Sequence, residues 1–215
     1  MSIVAITGLA AEARIARRAG WQAVAGGGDA ARTLELIDLA LRDGAEALVS
    51  FGIAGGLLPE IPSGALLLPE AVVEADGTRY EVDAAWRSKL GALLGPGIEG
   101  GDILGTQAIA ATASEKAALH LGSGAVAVDL ESHLVARSAS AAGVPWFVLR
   151  AVADPAMRDL PPAALLPLDA AGRARMPAIL RSVGLKPGQI PALIRLARES
   201  RAALVALAAA VRKIS

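Results

Sequence analysis

Few residue types in this chain can do chemistry. It has no cysteine and only two histidines, His120 and His133. Thiolate nucleophiles, disulfides, zinc–cysteine centres and a histidine-rich metal site are therefore not expected. Carboxylates remain. Asp129 and Glu131 flank Leu130 directly after an apolar run at 125–128, and Asp154 closes the next run at 146–152. A lone acid at a strand end serves equally well as a helix cap or turn former. Three of them converging on one sheet edge raise the chance of a functional site, at the place where open α/β sheets bind ligands. Spacing alone does not name a reaction. Gly26-Gly27-Gly28 before Asp29 could bind an anion through backbone N–H groups, but a tight turn is the simpler reading. The cluster at 52–56 lacks the spacing of a dinucleotide fold. No phosphate loop and no nucleophile elbow occurs.

The elements that must position these residues follow from periodicity. A short apolar strand at 2–7 ends at Thr7-Gly8, a helix covers 12–19, and a second strand covers 21–25. Asp29 is placed to cap a helix over 30–42, with Leu34, Ile37 and Leu41 on its buried face. A strand at 45–51 runs into the glycines at 52–56. Strands are expected at 65–68, 71–74 and 106–111, a helix within 81–94, and another at 114–121 capped by Ser114. A β-α-β unit over 125–154 would put Asp129, Glu131 and Asp154 on neighbouring strands. A Pro- and Ala-rich stretch follows Asp154, and a final helix starts at Ile190. Its Leu193, Leu196, Leu204, Leu207 and Val211 share a face suited to docking on the sheet; lying on a membrane surface is the minority reading. Trp146 and Phe147 read as core, and His133 as a packed residue.

The alternation predicts an α/β fold in three layers, a mixed, largely parallel central sheet flanked by helices. At 215 residues with no linker-like segment, a single domain over 1–215 is expected. The 21 basic and 21 acidic residues cancel, so no electrostatic footprint for nucleic acid is expected. Charges interrupt every apolar stretch before about 18 residues. The first residues also lack the pattern of a secretory signal, so a cytoplasmic location is expected.

Two segments are more specific. Residues 127–132 (AVDLES) followed by 144–154 (VPWFVLRAVAD) resemble the paired signature of the nucleoside phosphorylases and nucleosidases, and Phe51 to Leu57 (FGIAGGL) resembles that superfamily's glycine loop. The resemblance implies cleavage of a purine N-glycosidic bond. Asp154 would protonate N7 of the leaving base, and Glu131 would accept hydrogen bonds from the ribose hydroxyls. Leu130 would pack on the sugar, with Asp129 beside it where relatives have Glu. It further implies Ile109 at the substrate, next to Ala108 where relatives often carry an aromatic. Glu12 would activate water in a nucleosidase. Gly8, Gly28 and Arg14 would hold phosphate in a phosphorylase, with Arg17 or Arg32 as further candidates. No cofactor is implied, phosphate being a candidate co-substrate.

The short N-terminal region and the apolar stretch at 160–180 are most similar to the hopanoid-associated branch, which implies adenosylhopane as substrate, with 155–215 a family-variable helical part. A lipid on the 5′ carbon needs an apolar channel, expected from 160–180 and the last helix. The partners implied are a nucleoside that is lipid-linked in this branch, a transient membrane-surface contact and a second copy of the chain. The alternatives are a nucleosidase for methylthioadenosine, S-adenosylhomocysteine or futalosine, and a nucleoside-binding module without catalysis.

Overall fold

The computed structural model describes residues 2–214. The chain begins with β1 (Ile3–Thr7), α1 (Ala10–Ala16), β2 (Gln22–Ala25), α2 (Ala30–Arg42) and β3 (Ala47–Gly56). Next come β4 (Leu66–Leu67), β5 (Ala71–Val73), β6 (Arg79–Glu81), α3 (Ala84–Leu94), β7 (Ile98–Glu99), β8 (Ile103–Gly105) and α4 (Ala113–Ser123). β9 (Ala127–Asp129), α5 (Ser132–Ala142), β10 (Trp146–Asp154), α6 (Met176–Leu185) and α7 (Ile190–Ile214) complete it.

Alternate residues of the central strands face opposite layers, as the period of two demands. Val4, Ile6, Leu48 and Val148 join one buried cluster with Ile37 of α2 and Leu134 of α5. Ala5, Val49, Phe147 and Leu149 join the other with Leu90 of α3 and Leu207 and Val211 of α7. Trp21 meets Phe51 and Phe147 edge-on, both with centroids 5.9 Å apart, and Trp86 stacks on Phe147 at 5.2 Å. Such pairs add about 0.5–1.5 kcal/mol each beyond the area they bury. Trp146, Phe147 and His133 are accordingly core residues.

The strand order is β6-β5-β8-β9-β3-β10-β4-β7, with β1 and β2 attached alongside β3. β9 and β10 are thus not neighbours, contrary to the β-α-β expectation; β3 runs between them. One edge of β3 pairs with β10 from Leu48 to Gly55. Its other edge is shared. β1 takes Ala47 to Ser50 in parallel, and β9 takes Gly55 and Gly56 antiparallel. The sheet opens where β1 stops and β9 has not yet begun, a switch in strand order of the kind where ligands bind.

Other boundaries shift for local reasons. Residues 106–111 form a loop rather than a strand; the pairing strand is Ile103–Gly105. The cap of α4 is Thr112, whose hydroxyl accepts from Glu115 N, while the Glu115 carboxylate accepts from Thr112 N. That reciprocal pair outcompetes Ser114. Asp29 caps α2 as expected, accepting from Arg32 N at 3.0 Å.

Candidate active site

A cavity of about 310 Å³ lies at the opening of the sheet. Gly8, Glu12, Gly28, Ile109, Asp129, Leu130, Glu131 and Asp154 all line it, so the fold gathers eight of the eleven site candidates named in the sequence. Arg14, Arg17 and Arg32 are the exceptions. Arg14 on α1 and Arg32 on α2 are exposed and form no part of the wall. Arg17 is spent on the carbonyl of Ala23 at 2.7 Å.

Glu12 sits at the third position of α1, where its carboxylate folds back over the helix start. Oε2 accepts from Gly8 N at 3.0 Å and Leu9 N at 2.7 Å, and Oε1 accepts from Ile53 N at 2.8 Å. Burial pushes its pKa above the ordinary value, opposed by Arg150 and these three amides. Gly52 must be glycine, because a Cβ there would lie 2.6 Å from the Glu12 carboxylate.

Beside it stands a buried charge cluster that sequence reasoning missed. Arg150, 1% exposed, points from the middle of β10. Its Nη2 donates to Ser50 Oγ at 2.7 Å and Glu131 Oε2 at 3.2 Å, and forms an ion pair with Asp129 Oδ2 at 2.7 Å. Ser50 therefore passes its own hydrogen to Ser132 Oγ at 2.9 Å, since Ser132 donates to Asp129 Oδ2. Ser132 N donates to Asp129 Oδ1 at 3.0 Å. Both oxygens of Asp129 are thus engaged by the protein, and its side chain is 2% exposed. Glu131 differs. Only Oε2 meets Arg150; Oε1 abuts Gly8, 2.6 Å from where a Cβ would be. Burial raises the Glu131 pKa to about 7, helped by Asp129 and Glu12 and opposed by Arg150.

Asp154 faces this cluster from the end of β10. Lys116 of α4, fully buried, donates to Asp154 Oδ2 at 2.5 Å, Arg158 O at 3.0 Å and Pro155 O at 3.1 Å. Those acceptors use all three ammonium hydrogens. Oδ1 accepts no hydrogen bond from another of the described residues. Burial raises the Asp154 pKa, and Lys116 opposes it. A lone charge inside an apolar strand could have flagged Arg150. Nothing in the sequence distinguishes Lys116 from a solvated lysine.

Of the amides near the expected phosphate side, Gly8 N serves Glu12, and Gly26 N and Gly27 N donate to Thr7 O and Gly8 O at 2.8 and 3.0 Å. The glycines form a turn, with φ of +74° at Gly27 and +73° at Gly28, and a Cβ at Gly28 would lie 3.8 Å from the Leu130 side chain. Of the expected apolar channel, Leu160, Leu165, Leu166, Pro167 and Leu168 do line the cavity. The last helix does not. It packs on β10, α1 and α3, where Leu207 and Val211 are buried. The stretch after Asp154 instead straps over the site. Leu160 N donates to Ala111 O at 2.7 Å, and Ala10 N to Gly172 O at 3.1 Å.

The model of the phosphorylase superfamily matches residues 25–176, most of the chain and every residue lining the cavity except Gly8, Leu9 and Glu12. The chain belongs to the phosphorylase superfamily. Over 132 residues it is 32% identical to the futalosine hydrolase of Streptomyces coelicolor, a match covering 51% of this chain and 54% of that protein. The chain thus spans about half the length of this curated relative. Its fold is that of solved nucleosidases. The 5′-methylthioadenosine/S-adenosylhomocysteine nucleosidase of S. pneumoniae, solved with the transition-state inhibitor MT-ImmA, superimposes with a TM-score of 0.66 at 15% identity, covering 100% of both chains. The Helicobacter pylori enzyme gives 0.66 at 15% identity, covering 98% of both. At that identity the likeness speaks for the mixed sheet flanked by helices.

Proposed function

We propose that this protein hydrolyses the N-glycosidic bond of a 5′-substituted adenosine. The observation that carries the reading is a pair of opposed acid–base sites in one cavity. Glu12 is a buried carboxylate held by three amides, and Asp154 is a carboxyl whose Oδ1 is left open while Lys116 holds Oδ2. Glu131 lines the same cavity, and its Oε1, on the side of Gly8, would accept the sugar hydroxyls. As the C–N bond breaks, its electrons pass to the base, and Asp154 gives a proton to N7. Water adds to the sugar carbon and yields its proton to Glu12. Burial suits both carboxyls by raising their pKa values towards the working pH. Negative charge on Glu131 would stabilise the cation developing on the sugar.

Water is favoured over phosphate by charge. Three carboxylates, Glu12, Asp129 and Glu131, surround Arg150, which already forms ion pairs with two of them. A phosphate dianion there would meet net negative charge and occupied amides. The curated relative's name, futalosine hydrolase, and the nucleosidases among the solved structures support the same reading.

For the 5′ substituent, the leucines at 160–168 favour a bulky apolar group such as the lipid of adenosylhopane. Methylthioadenosine, S-adenosylhomocysteine and futalosine are the comparison substrates. The test is adenine release from these adenosines, and hypoxanthine release from futalosine, with and without phosphate. Release is expected without phosphate, fastest for the apolar substrate, and about 10²–10⁴-fold slower in Asp154→Asn and Glu12→Gln. Turnover that strictly requires phosphate would overturn the hydrolytic step. Full activity in Asp154→Asn would overturn the acid assignment.

A further inference from the structure

The chain's net charge of zero conceals a segregation. Between residues 170 and 198 there are six cations, Arg173, Arg175, Arg181, Lys186, Arg195 and Arg198, and not one carboxylate. All six are exposed. Arg173 pairs with Asp169, and the side chains of the other five make no hydrogen bond or ion pair among the described residues. Large apolar side chains stand among them. On α6, which has no buried residue, Met176 is 57%, Leu180 65% and Leu185 75% exposed. On α7, Ile190, Ile194 and Val205 share an outward stripe with Arg198 and Arg201, at the spacing that puts them on one helical face.

Gln189 makes this a fixed surface rather than a loose tail. Its side chain, buried between the helices, accepts from Ala163 N at 2.9 Å and donates to Ser182 O at 2.9 Å. One residue therefore ties α6 and the start of α7 to the segment 162–165. Leu165 of that segment lines the cavity while 40% of it faces solvent. The apolar cavity wall is thus continuous with the outer surface beside α6.

We propose that this face docks on an anionic lipid surface, with the arginines and lysine at the headgroups and Met176, Leu180 and Leu185 entering the acyl boundary. Unpaired cations interspersed with exposed aliphatic side chains are the composition that such interfaces select. Nucleic acid would match the cations but leave the leucines in water, and stacking platforms for bases need aromatics, which this face lacks. Docking here would bring the cavity mouth to the bilayer, where a nucleoside with an apolar 5′ group resides. That purpose rests on the reading above; the binding itself does not.

The experiment is sedimentation of the intact protein with vesicles of phosphatidylcholine, alone or with phosphatidylglycerol. Binding is expected only with phosphatidylglycerol. It should fall when sodium chloride is raised to about 1 M, where the Debye length is about 3 Å. The variant carrying Leu180→Glu and Leu185→Glu should lose about tenfold or more in partitioning, and Arg181→Ala with Lys186→Ala should weaken binding and flatten its salt dependence. Both should keep wild-type turnover of a soluble nucleoside. Failure to sediment with anionic vesicles at low salt would overturn the proposal. So would α6 variants that bind vesicles normally but convert a dimer to a monomer by light scattering, which would give the face to a second copy. A protein that binds vesicles yet cleaves no nucleoside would refute the enzymatic reading and leave the docking intact.

Discussion

Lys116 shows how much one side chain can decide. It is the only cation touching Asp154 among the described residues, and it takes one carboxylate oxygen while leaving the other to the cavity. Lys116→Met should therefore misplace the acid and leave its charge uncompensated, lowering kcat by about 10²-fold. Without the lysine the Asp154 pKa rises further above its unfolded value. A raised carboxyl pKa contributes stability at low pH that is lost as pH rises, so the variant should melt progressively below wild type on going from acid to neutral pH. Parallel melting curves at all pH values, with an unmoved pH–rate profile, would reduce Lys116 to a packing residue. Lys116→Arg, which keeps the charge, should restore part of the profile.

At the scale of elements, the site depends on two turns and a strap. Gly172 has φ of +70°, and a Cβ there would lie 2.5 Å from Gly8 O. Gly172→Ala should push the strap off the start of α1 and raise KM more than it lowers kcat, which saturation kinetics on a soluble nucleoside would read. The cap of α4 matters differently, because α4 carries Lys116. Thr112→Ala should cost about 1 kcal/mol, measured by denaturant unfolding, with little change in kcat if the helix stays folded. The helix α2 was legible to the residue, since Asp29 and the spacing of Leu34, Ile37 and Leu41 all agree. The loop at 106–111 was not. Its apolar residues, Ile109 among them, face the cavity instead of a neighbouring strand, and apolar composition cannot tell those surroundings apart.

For the whole molecule, the buried cluster around Arg150 ties stability to pH. Glu131 titrates near 7 in the folded protein, well above an unfolded carboxylate. The folded state therefore binds more protons between the two values. Stability should fall as pH rises from about 5 through 7 and level off above it. Thermal melting across that window checks this, and Glu131→Gln should flatten the slope. A melting temperature that climbed steadily from pH 5 to 8 would contradict it. α7 belongs to this scale too. It closes the layer over Phe147 and Leu149 without reaching the cavity, so deleting 203–214 should abolish folding rather than alter substrate choice.

The sequence by itself determined the three-layer arrangement, because apolar periodicity and turn residues are local signals that each strand and helix carries. It also singled out Asp129, Glu131 and Asp154 as residues at strand ends, and the superfamily resemblance added Glu12. What only the tertiary structure decided is which of these face a substrate. Asp129 and Glu131 are two residues apart, yet one is consumed by Arg150 and Ser132 while the other keeps an oxygen towards Gly8. That difference comes from partners distant in the chain, Ser50 and Arg150, brought together where β3 pairs with β10 and shares its other edge between β1 and β9. Charge balance within a buried cluster depends on such long-range neighbours, and no local pattern of residues encodes it.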